Sequence, residues 1–229
     1  MNEPTEMELK YLVKNNFDLS DLILYLRSNG FNATSIKFVI NEDYYFDTPN
    51  KDLLKNGGSL RIRKTKKGPI KGTFKYPTDN NDVYTKRIEI EKTLTENSYT
   101  ELMNRFNDLQ YDLNRLCPFP VLKINNQRQE ITLTKDNNCV VVAFDTIIYD
   151  NQKQEHMLEI ELKEGPNPNI LIEIDKLIQE RFNLELTKQS KYQRGIEQTK
   201  LVILTRKHSK KRIFMLKICI FYIFLPRKA

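Results

Sequence analysis

Two short segments near opposite ends of the sequence share the pattern Glu-x-Glu-x-Lys. The first extends from Glu6 to Lys10 and the second from Glu159 to Lys163. In an extended strand successive side chains point to opposite faces, so each segment gathers two carboxylates and one ammonium on one face. Carboxylate oxygens are the ligands that Mg²⁺ and Mn²⁺ prefer. The spacing therefore indicates a pair of strands that could hold a divalent cation.

Charged residues alternate with apolar residues in several segments between these two copies. Arginine and lysine on such a face match phosphate oxygens, because a guanidinium group can donate two parallel hydrogen bonds. The charged residues of these faces are the bases Arg61, Arg63, Lys75, Arg87 and Arg128 and the acids Glu89, Glu91 and Asp145. Acids and bases together favour a site for a metal-bound polyphosphate.

The elements that must position these residues are mainly strands. Alternation and β-branched or aromatic content predict strands over residues 36–48, 59–64, 70–76, 83–92, 121–134 and 140–149. Apolar residues at helical spacing predict a helix capped by Ser20 and ending at Gly30, and another from about Ser98 to Leu116. Two more helices are expected, one after residues 165–169 and a short one near Ser190.

Two arrangements of these strands are consistent with the alternation. In the first, an open antiparallel sheet exposes its charged face to water and nothing binds. In the second, the sheet closes, the charged faces line an interior and the apolar faces lie beneath the helices. Charges in such an interior are costly unless they are paired or ligated, so the closed arrangement implies bound cations and a polyanion.

The composition limits the other classes of function. The net charge of +7 comes from residues 201–229, which hold eight Lys or Arg residues and no acid, so residues 1–200 contain 29 bases and 30 acids. The body is nearly neutral, and DNA is not an expected partner. Three cysteines and two histidines without zinc-site spacing predict no zinc centre. No glycine-rich phosphate loop and no signal peptide are present, so side chains must hold the phosphates and the cytoplasm is the expected compartment.

An ordered set of motifs resembles the CYTH domain, which defines the triphosphate tunnel metalloenzyme superfamily. The resemblance covers about residues 1–198 and rests on Glu6-x-Glu8-x-Lys10, the run 44–49, Ser59-Leu60-Arg61-Ile62-Arg63, Thr73-Phe74-Lys75, Arg87-Ile88-Glu89-Ile90-Glu91, Phe144-Asp145, Glu159-x-Glu161-x-Lys163 and Ser190-Lys191-Tyr192-x-Arg194. It implies an α+β fold: a closed antiparallel β tunnel of about eight strands with a charged interior, flanked by helices.

The resemblance also implies roles for individual residues. Glu6, Glu8 and Glu161 are the expected ligands of a Mg²⁺ or Mn²⁺ ion and, with Lys10, the catalytic groups. Asp145 and Glu159 are expected near a second metal ion, and Glu89 and Glu91 are either metal ligands or water-side groups. The expected phosphate-binding residues are Arg61, Arg63, Lys75, Arg87, Arg128, Lys163, Lys191 and Arg194. For Lys163 and Arg194 a structural ion pair is the alternative.

The function that the resemblance implies is metal-dependent hydrolysis of a triphosphate, inorganic or organic, with release of orthophosphate. The alternatives are a class IV adenylate cyclase, which forms cyclic AMP and pyrophosphate, and a non-catalytic polyphosphate-binding module. The expected partner is a small molecule that carries a triphosphate. Residues 199–229 form a separate basic and apolar tail, and contact of residues 201–229 with a membrane surface is one of its possible roles.

Overall fold

The computed structural model describes residues 4–14, 16–78, 82–109, 113, 115–165 and 167–199. Its strands are β1 (Thr5–Val13), β2 (Asn32–Ala33), β3 (Lys37–Phe46), β4 (Ser59–Thr65), β5 (Ile70–Pro77), β6 (Thr85–Leu94), β7 (Leu122–Lys135), β8 (Asn138–Tyr149), β9 (Gln154–Glu164) and β10 (Glu185–Leu186). Its helices are α1 (Leu19–Ser28), α2 (Asp52–Lys55), α3 (Tyr99–Arg105), α4 (Asn169–Arg181) and α5 (191–199). The segment 199–229 that the sequence assigns to a tail lies, after its first residue, outside the described residues.

Eight strands close into an antiparallel barrel. Around the barrel the order is β1, β6, β5, β4, β3, β7, β8 and β9, and β9 pairs again with β1 from Met7 to Val13. The short strands β2 and β10 pair with β7 and β1 outside this circuit. The expected closed antiparallel tunnel is confirmed, and the open sheet with a solvated charged face is wrong.

The barrel is charged inside and apolar outside, as the closed arrangement requires. In β1 the side chains of Glu6, Glu8 and Lys10 line the interior cavity, whereas Leu9 and Tyr11 are fully buried on the outer face among residues of α1 and α4. Each buried Leu, Ile or Phe on such a face contributes about 1.5–3 kcal/mol to folding. The helices that cover the outer face therefore stabilise the barrel, and the interior is lined by charged and polar side chains.

The first helix begins slightly earlier than the sequence predicts. Its N-cap is Asp18, whose carboxylate accepts a hydrogen bond from the backbone amide of Ser20 at 2.8 Å, so Ser20 lies inside the helix rather than capping it. The helix ends at Ser28, and Gly30 follows with a positive φ of 88°. A left-handed residue just after a helix is commonly glycine, and this part of the prediction is confirmed.

The helix expected from Ser98 to Leu116 is much shorter. Ser98 does cap it by accepting a hydrogen bond from the amide of Glu101, but α3 ends at Arg105. Asn and Asp follow at positions 107 and 108, and such residues favour turns because their side chains compete for backbone hydrogen bonds. The apolar residues after the helix still bury with the same cluster, which includes Phe106, Leu113 and Leu116. The periodicity identified buried residues correctly and overstated their helix.

Within the described residues, no helix combines the length and the apolar character needed to span a bilayer.

Candidate active site

One cavity of 470 Å³ lies inside the barrel and is lined almost entirely by charged and polar side chains. Of the residues singled out in the sequence, the cavity is lined by Glu6, Glu8, Lys10, Arg61, Arg63, Lys75, Arg87, Glu89, Glu91, Arg128, Glu159, Glu161, Lys163 and Lys191. Asp145 and Arg194 do not line it. Alternate residues of β1, β4, β5, β6, β7 and β9 point inward. The closure of the barrel pairs β1 with β9, so Glu8 lies directly opposite Glu161 although the two are more than 150 positions apart in the sequence.

Three carboxylates in this cavity form a compact cluster. Each of Glu6, Glu89 and Glu161 has a carboxylate oxygen within 4.8 Å of the others. The ammonium group of Lys75 contacts two members, at 2.5 Å from Glu6 and 3.2 Å from Glu89. The cluster therefore already has a positively charged group beside it. Its carboxylate oxygens are hard ligands, which suit Mg²⁺ or Mn²⁺.

The cluster contains carboxyl groups with opposite pKa shifts. Burial raises the pKa of Glu161 to about 7, with a further contribution from the negative charge of Glu6. Burial also raises the pKa of Glu6, but Lys75 and Arg87 outweigh it and lower the pKa of Glu6 to about 2. The difference arises because two bases lie beside Glu6, whereas burial and a neighbouring negative charge dominate at Glu161. A divalent cation bound between the two would favour ionisation of Glu161.

The sequence groups Glu8 with Glu6 and Glu161, whereas the structure brings Glu89 to that position. Glu8 is buried and contacts two bases, Lys10 at 2.6 Å and the guanidinium of Arg87. Glu91 lies further along β6 and pairs with Lys71 at 2.7 Å, where both side chains are about two-fifths exposed. The metal roles of Glu6, Glu8 and Glu161 remain predictions, and Glu89 rather than Glu91 has the geometry of a ligand.

Two arginines on β4 are held by a carboxylate that the sequence did not single out. Asp43, on β3, is fully buried and accepts hydrogen bonds from Arg63 Nε at 2.6 Å and Arg63 Nη2 at 2.7 Å. Arg61 Nη1 lies 3.5 Å from the same carboxylate. Burial raises the pKa of Asp43, but the two arginines outweigh it and lower the pKa to about 2. The alternation of Asn41, Asp43 and Tyr45 on β3 was the signal that could have identified it.

A second ion-pair network connects β7, β8 and β9 with α5 at the cavity wall. Arg128 donates to Asp145 at 2.8 and 2.7 Å and to Glu159 at 2.7 Å. Lys191 Nζ lies 2.9 Å from Asp145 and 2.5 Å from Glu159. Burial raises the pKa of both carboxyls, and the two bases outweigh it and lower both pKa values. Because Asp145 is fully buried behind the bases, it orients them in this structure, and its predicted role near a second metal remains a prediction.

Arg194 lies away from the cavity. Its guanidinium donates to both oxygens of Glu155 at 2.8 Å and to Gln189 at 2.8 Å. For this residue the sequence allowed either a phosphate-binding role or a structural ion pair, and the structure shows the ion pair. Lys163 differs, since it lines the cavity and also pairs with Glu161 at 2.5 Å. The cavity therefore has many bases on its walls, and Arg194 is not one of them.

Together these features define a class of protein: a closed antiparallel β barrel, flanked by helices, whose interior carries clustered carboxylates and a surrounding set of arginines and lysines. The model of the CYTH domain matches residues 4–196. The chain therefore belongs to the CYTH domain family, and the resemblance inferred from the motifs is confirmed.

Solved structures share this fold at low sequence identity. A candidate adenylate cyclase from Bacillus halodurans is 18% identical, with a TM-score of 0.56, over 85% of this chain and 98% of that one. A Pyrococcus horikoshii protein is 22% identical, with a TM-score of 0.55, over 84% and 99%. A candidate adenylyl cyclase from Hippeastrum, described as having a dominant triphosphatase activity, is 13% identical, with a TM-score of 0.55, over 84% and 95%. No curated protein sequence matches the chain significantly.

Proposed function

We propose that this protein hydrolyses a triphosphate in a metal-dependent reaction inside the barrel and releases orthophosphate. The observation that carries the proposal is the juxtaposition, in one cavity, of the cluster Glu6, Glu89 and Glu161 with a wall of arginines and lysines. Carboxylates alone would suit a cation and bases alone an anion, whereas both together suit a metal-bound polyphosphate. A fold in which the charges faced water would not require either ligand.

The bases of the cavity supply binding and transition-state stabilisation. Arg61, Arg63 and Arg128 have guanidinium groups oriented by buried carboxylates, so their positions are fixed before substrate binds. Donors that are already in place stabilise the charge that develops on the phosphoryl oxygens without a reorganisation cost. Lys10, whose ammonium group is buried beside Glu8, adds a positive charge near the middle of β1.

The carboxylate cluster would hold Mg²⁺ or Mn²⁺. When bound there, the ion would neutralise phosphate oxygens and polarise the scissile phosphorus–oxygen bond. Lys75 supplies a counter-charge to Glu6 and Glu89. A divalent cation bound by these carboxylates would allow the ammonium group of Lys75 to pair with phosphate oxygens instead. Glu161, ionised when the cluster holds the ion, would be placed to orient an attacking water.

A cyclase acts on the α-phosphorus and a triphosphatase of this kind on the terminal phosphorus, so the products distinguish them. Purified protein should be incubated with tripolyphosphate, ATP or thiamine triphosphate and with Mg²⁺ or Mn²⁺, and the products separated chromatographically. Orthophosphate supports the proposal, and pyrophosphate with cyclic AMP supports a cyclase. Absence of turnover with each substrate and metal would identify a binding module instead. Glu8→Gln is expected to remove most of the activity while the far-ultraviolet circular dichroism stays unchanged.

A further inference from the structure

A second cavity of 230 Å³ adjoins the first. Arg87 and Ser190 line both cavities and therefore form the boundary between them. The other lining residues of the second cavity, which we call the side cavity, are Leu54, Gly57, Pro77, Thr78, Tyr84, Thr85, Lys86, Lys188 and Gln193. None of the residues described so far as binding metal or phosphate, apart from Arg87, belongs to it.

The side cavity lies where the barrel wall changes partner. On one edge β1 pairs with β6 from Thr5 to Glu8 and with β10 at Tyr11 and Leu12. Between them the described pairings give β1 no ladder on this edge, and only the amide of Thr187 donates to the carbonyl of Lys10, at 2.8 Å. Lining residues come from both sides of this break, Thr85 and Lys86 from β6 and Lys188 from the segment after β10. The side cavity thus lies at this break in the strand pairing of the wall.

The lining of the side cavity differs in chemistry from that of the main cavity. Leu54, Pro77 and the ring of Tyr84 provide apolar and aromatic surface, and Thr78 and Thr85 provide neutral hydrogen-bonding groups. Two ammonium groups are present, and none of the described residues that line the side cavity is an acid. Such a lining suits a flat, neutral heterocycle and disfavours a cationic one. Ligand sites usually measure about 300–1,000 Å³, so 230 Å³ is room for part of a ligand only.

We infer that the side cavity binds the neutral base of a nucleoside triphosphate whose phosphates lie in the main cavity. This inference rests on the proposed function and specifies the substrate class as a nucleoside triphosphate. Arg87 stands at the junction: its Nη2 contacts Glu6 and Glu8, while its buried Nε has no hydrogen-bond partner among the described groups. A buried donor without an acceptor is costly, and an oxygen of the ligand at this junction would satisfy it.

Gln193 allows a test that leaves the main cavity intact. It lies on α5, is half-buried, and its side-chain amide contacts Glu197 on the exposed face of the same helix at 3.3 Å. Gln193→Phe fills the side cavity, and the matched variant Gln193→Ala keeps it open. Binding of ATP, thiamine triphosphate and tripolyphosphate is measured by titration calorimetry in EDTA, where metal-dependent hydrolysis does not run. Hydrolysis with Mg²⁺ is measured separately on the same preparations.

Gln193→Phe is expected to weaken ATP binding about tenfold or more, because the phenyl ring occupies the space that the base needs in the side cavity. Tripolyphosphate has no base, so its binding should change by less than about twofold. Gln193→Ala is expected to change both by less than about threefold, and wild type should bind ATP more tightly than thiamine triphosphate. Equal losses for ATP and tripolyphosphate, unchanged ATP binding, or tighter binding of thiamine triphosphate would overturn the inference. Absence of hydrolysis with selective ATP binding would instead overturn the proposed function alone.

Discussion

The carboxylate of Asp43 accepts two hydrogen bonds from the guanidinium of Arg63, at 2.6 and 2.7 Å, across the neighbouring strands β3 and β4. The two residues lie directly opposite each other in the strand register. Asp43 has no exposed surface and Arg63 lines the cavity, so this pair fixes the arginine from behind. A buried acid in such a position is a positioning residue for a phosphate-binding base.

Asp43→Asn should lower both stability and substrate affinity. Breaking a buried pair leaves an uncompensated charge, and we expect the free energy of unfolding to fall by about 3 kcal/mol. KM should rise by about tenfold because the arginine loses its fixed orientation. Urea unfolding and steady-state kinetics measure the two effects. Glu42→Gln is the control, since Glu42 is the exposed neighbour and bonds only to the Tyr44 hydroxyl among the described contacts. A KM equal to wild type in a folded Asp43→Asn variant would contradict the positioning role.

Glu89 and Glu91 are two residues apart on β6 and should differ sharply in metal dependence. Glu89→Gln removes one of the three clustered carboxylates, so the Mg²⁺ concentration for half-maximal activity should rise by about tenfold or more. Glu91→Gln removes only a half-exposed pair with Lys71, and the shift should stay below about twofold. Titration of activity with Mg²⁺ gives both values. Equal shifts in the two variants would show that the cluster is not the metal site.

The strands and their inner faces were predictable because one face of each strand carried charge and the other carried apolar residues. Alternation placed Glu6, Glu8 and Lys10 on one face of β1, and the resemblance to the CYTH domain assigned that face correctly to the interior. Which of these acids meet in space was not predictable, since Glu6, Glu89 and Glu161 come from three strands whose register the sequence does not reveal. Their grouping depends on the pairing of β1 with both β6 and β9.

Asp43 and Arg194 show a different limit. Asp43 stands between Glu42 and Tyr44 in an aromatic run, so its charge was overlooked, although the alternation of β3 places it inward. Arg194 was assigned to the phosphates because it follows Lys191 in a motif. Residues three apart on a helix lie near each other on its surface but do not share every neighbour, and Arg194 reaches Glu155 instead of the cavity. The spacing of Lys191 and Arg194 in the sequence was not enough to show that only Lys191 lines the cavity.

The raised pKa of Glu161 should appear as a pH dependence of stability in the metal-free protein. Its pKa is about 7 in the folded protein, and the ordinary pKa of a glutamate side chain, which applies to the unfolded chain, is 4.5. The unfolded state therefore loses its proton first, and the contribution of Glu161 to stability is complete below pH 4.5 and is lost as the pH rises through 7. Glu161→Gln removes this loss, so relative to wild type the variant should gain on the order of 2 kcal/mol between pH 5 and about pH 8. Urea unfolding in EDTA at both pH values measures the difference.

Glu155→Gln is the matched control for that experiment, because Glu155 is also on β9 and forms an ion pair with Arg194 outside the cavity. Its stability relative to wild type should not rise with pH. Added Mg²⁺ should reduce the advantage of Glu161→Gln, since a cation in the cluster favours the ionised carboxylate in wild type. An advantage for Glu161→Gln that is the same at both pH values would contradict the raised pKa.

Lys191 and Arg194 lie one turn apart on α5 and provide a direct comparison between a cavity base and a structural base. Lys191→Met removes the ammonium group that lies between Asp145, Glu159 and the cavity, so we expect KM for the triphosphate to rise by about tenfold. Arg194→Met removes the bonds to Glu155 and should lower the free energy of unfolding by about 1–3 kcal/mol. Its KM should stay within about twofold of wild type, because no contact of Arg194 reaches the cavity wall among the described residues.

Steady-state kinetics at several salt concentrations distinguishes the two variants, since the loss of a phosphate contact should weaken the salt dependence of KM only in Lys191→Met. If Arg194→Met were to raise KM as much as Lys191→Met, the division of α5 into a substrate-facing base and a structural base would be wrong.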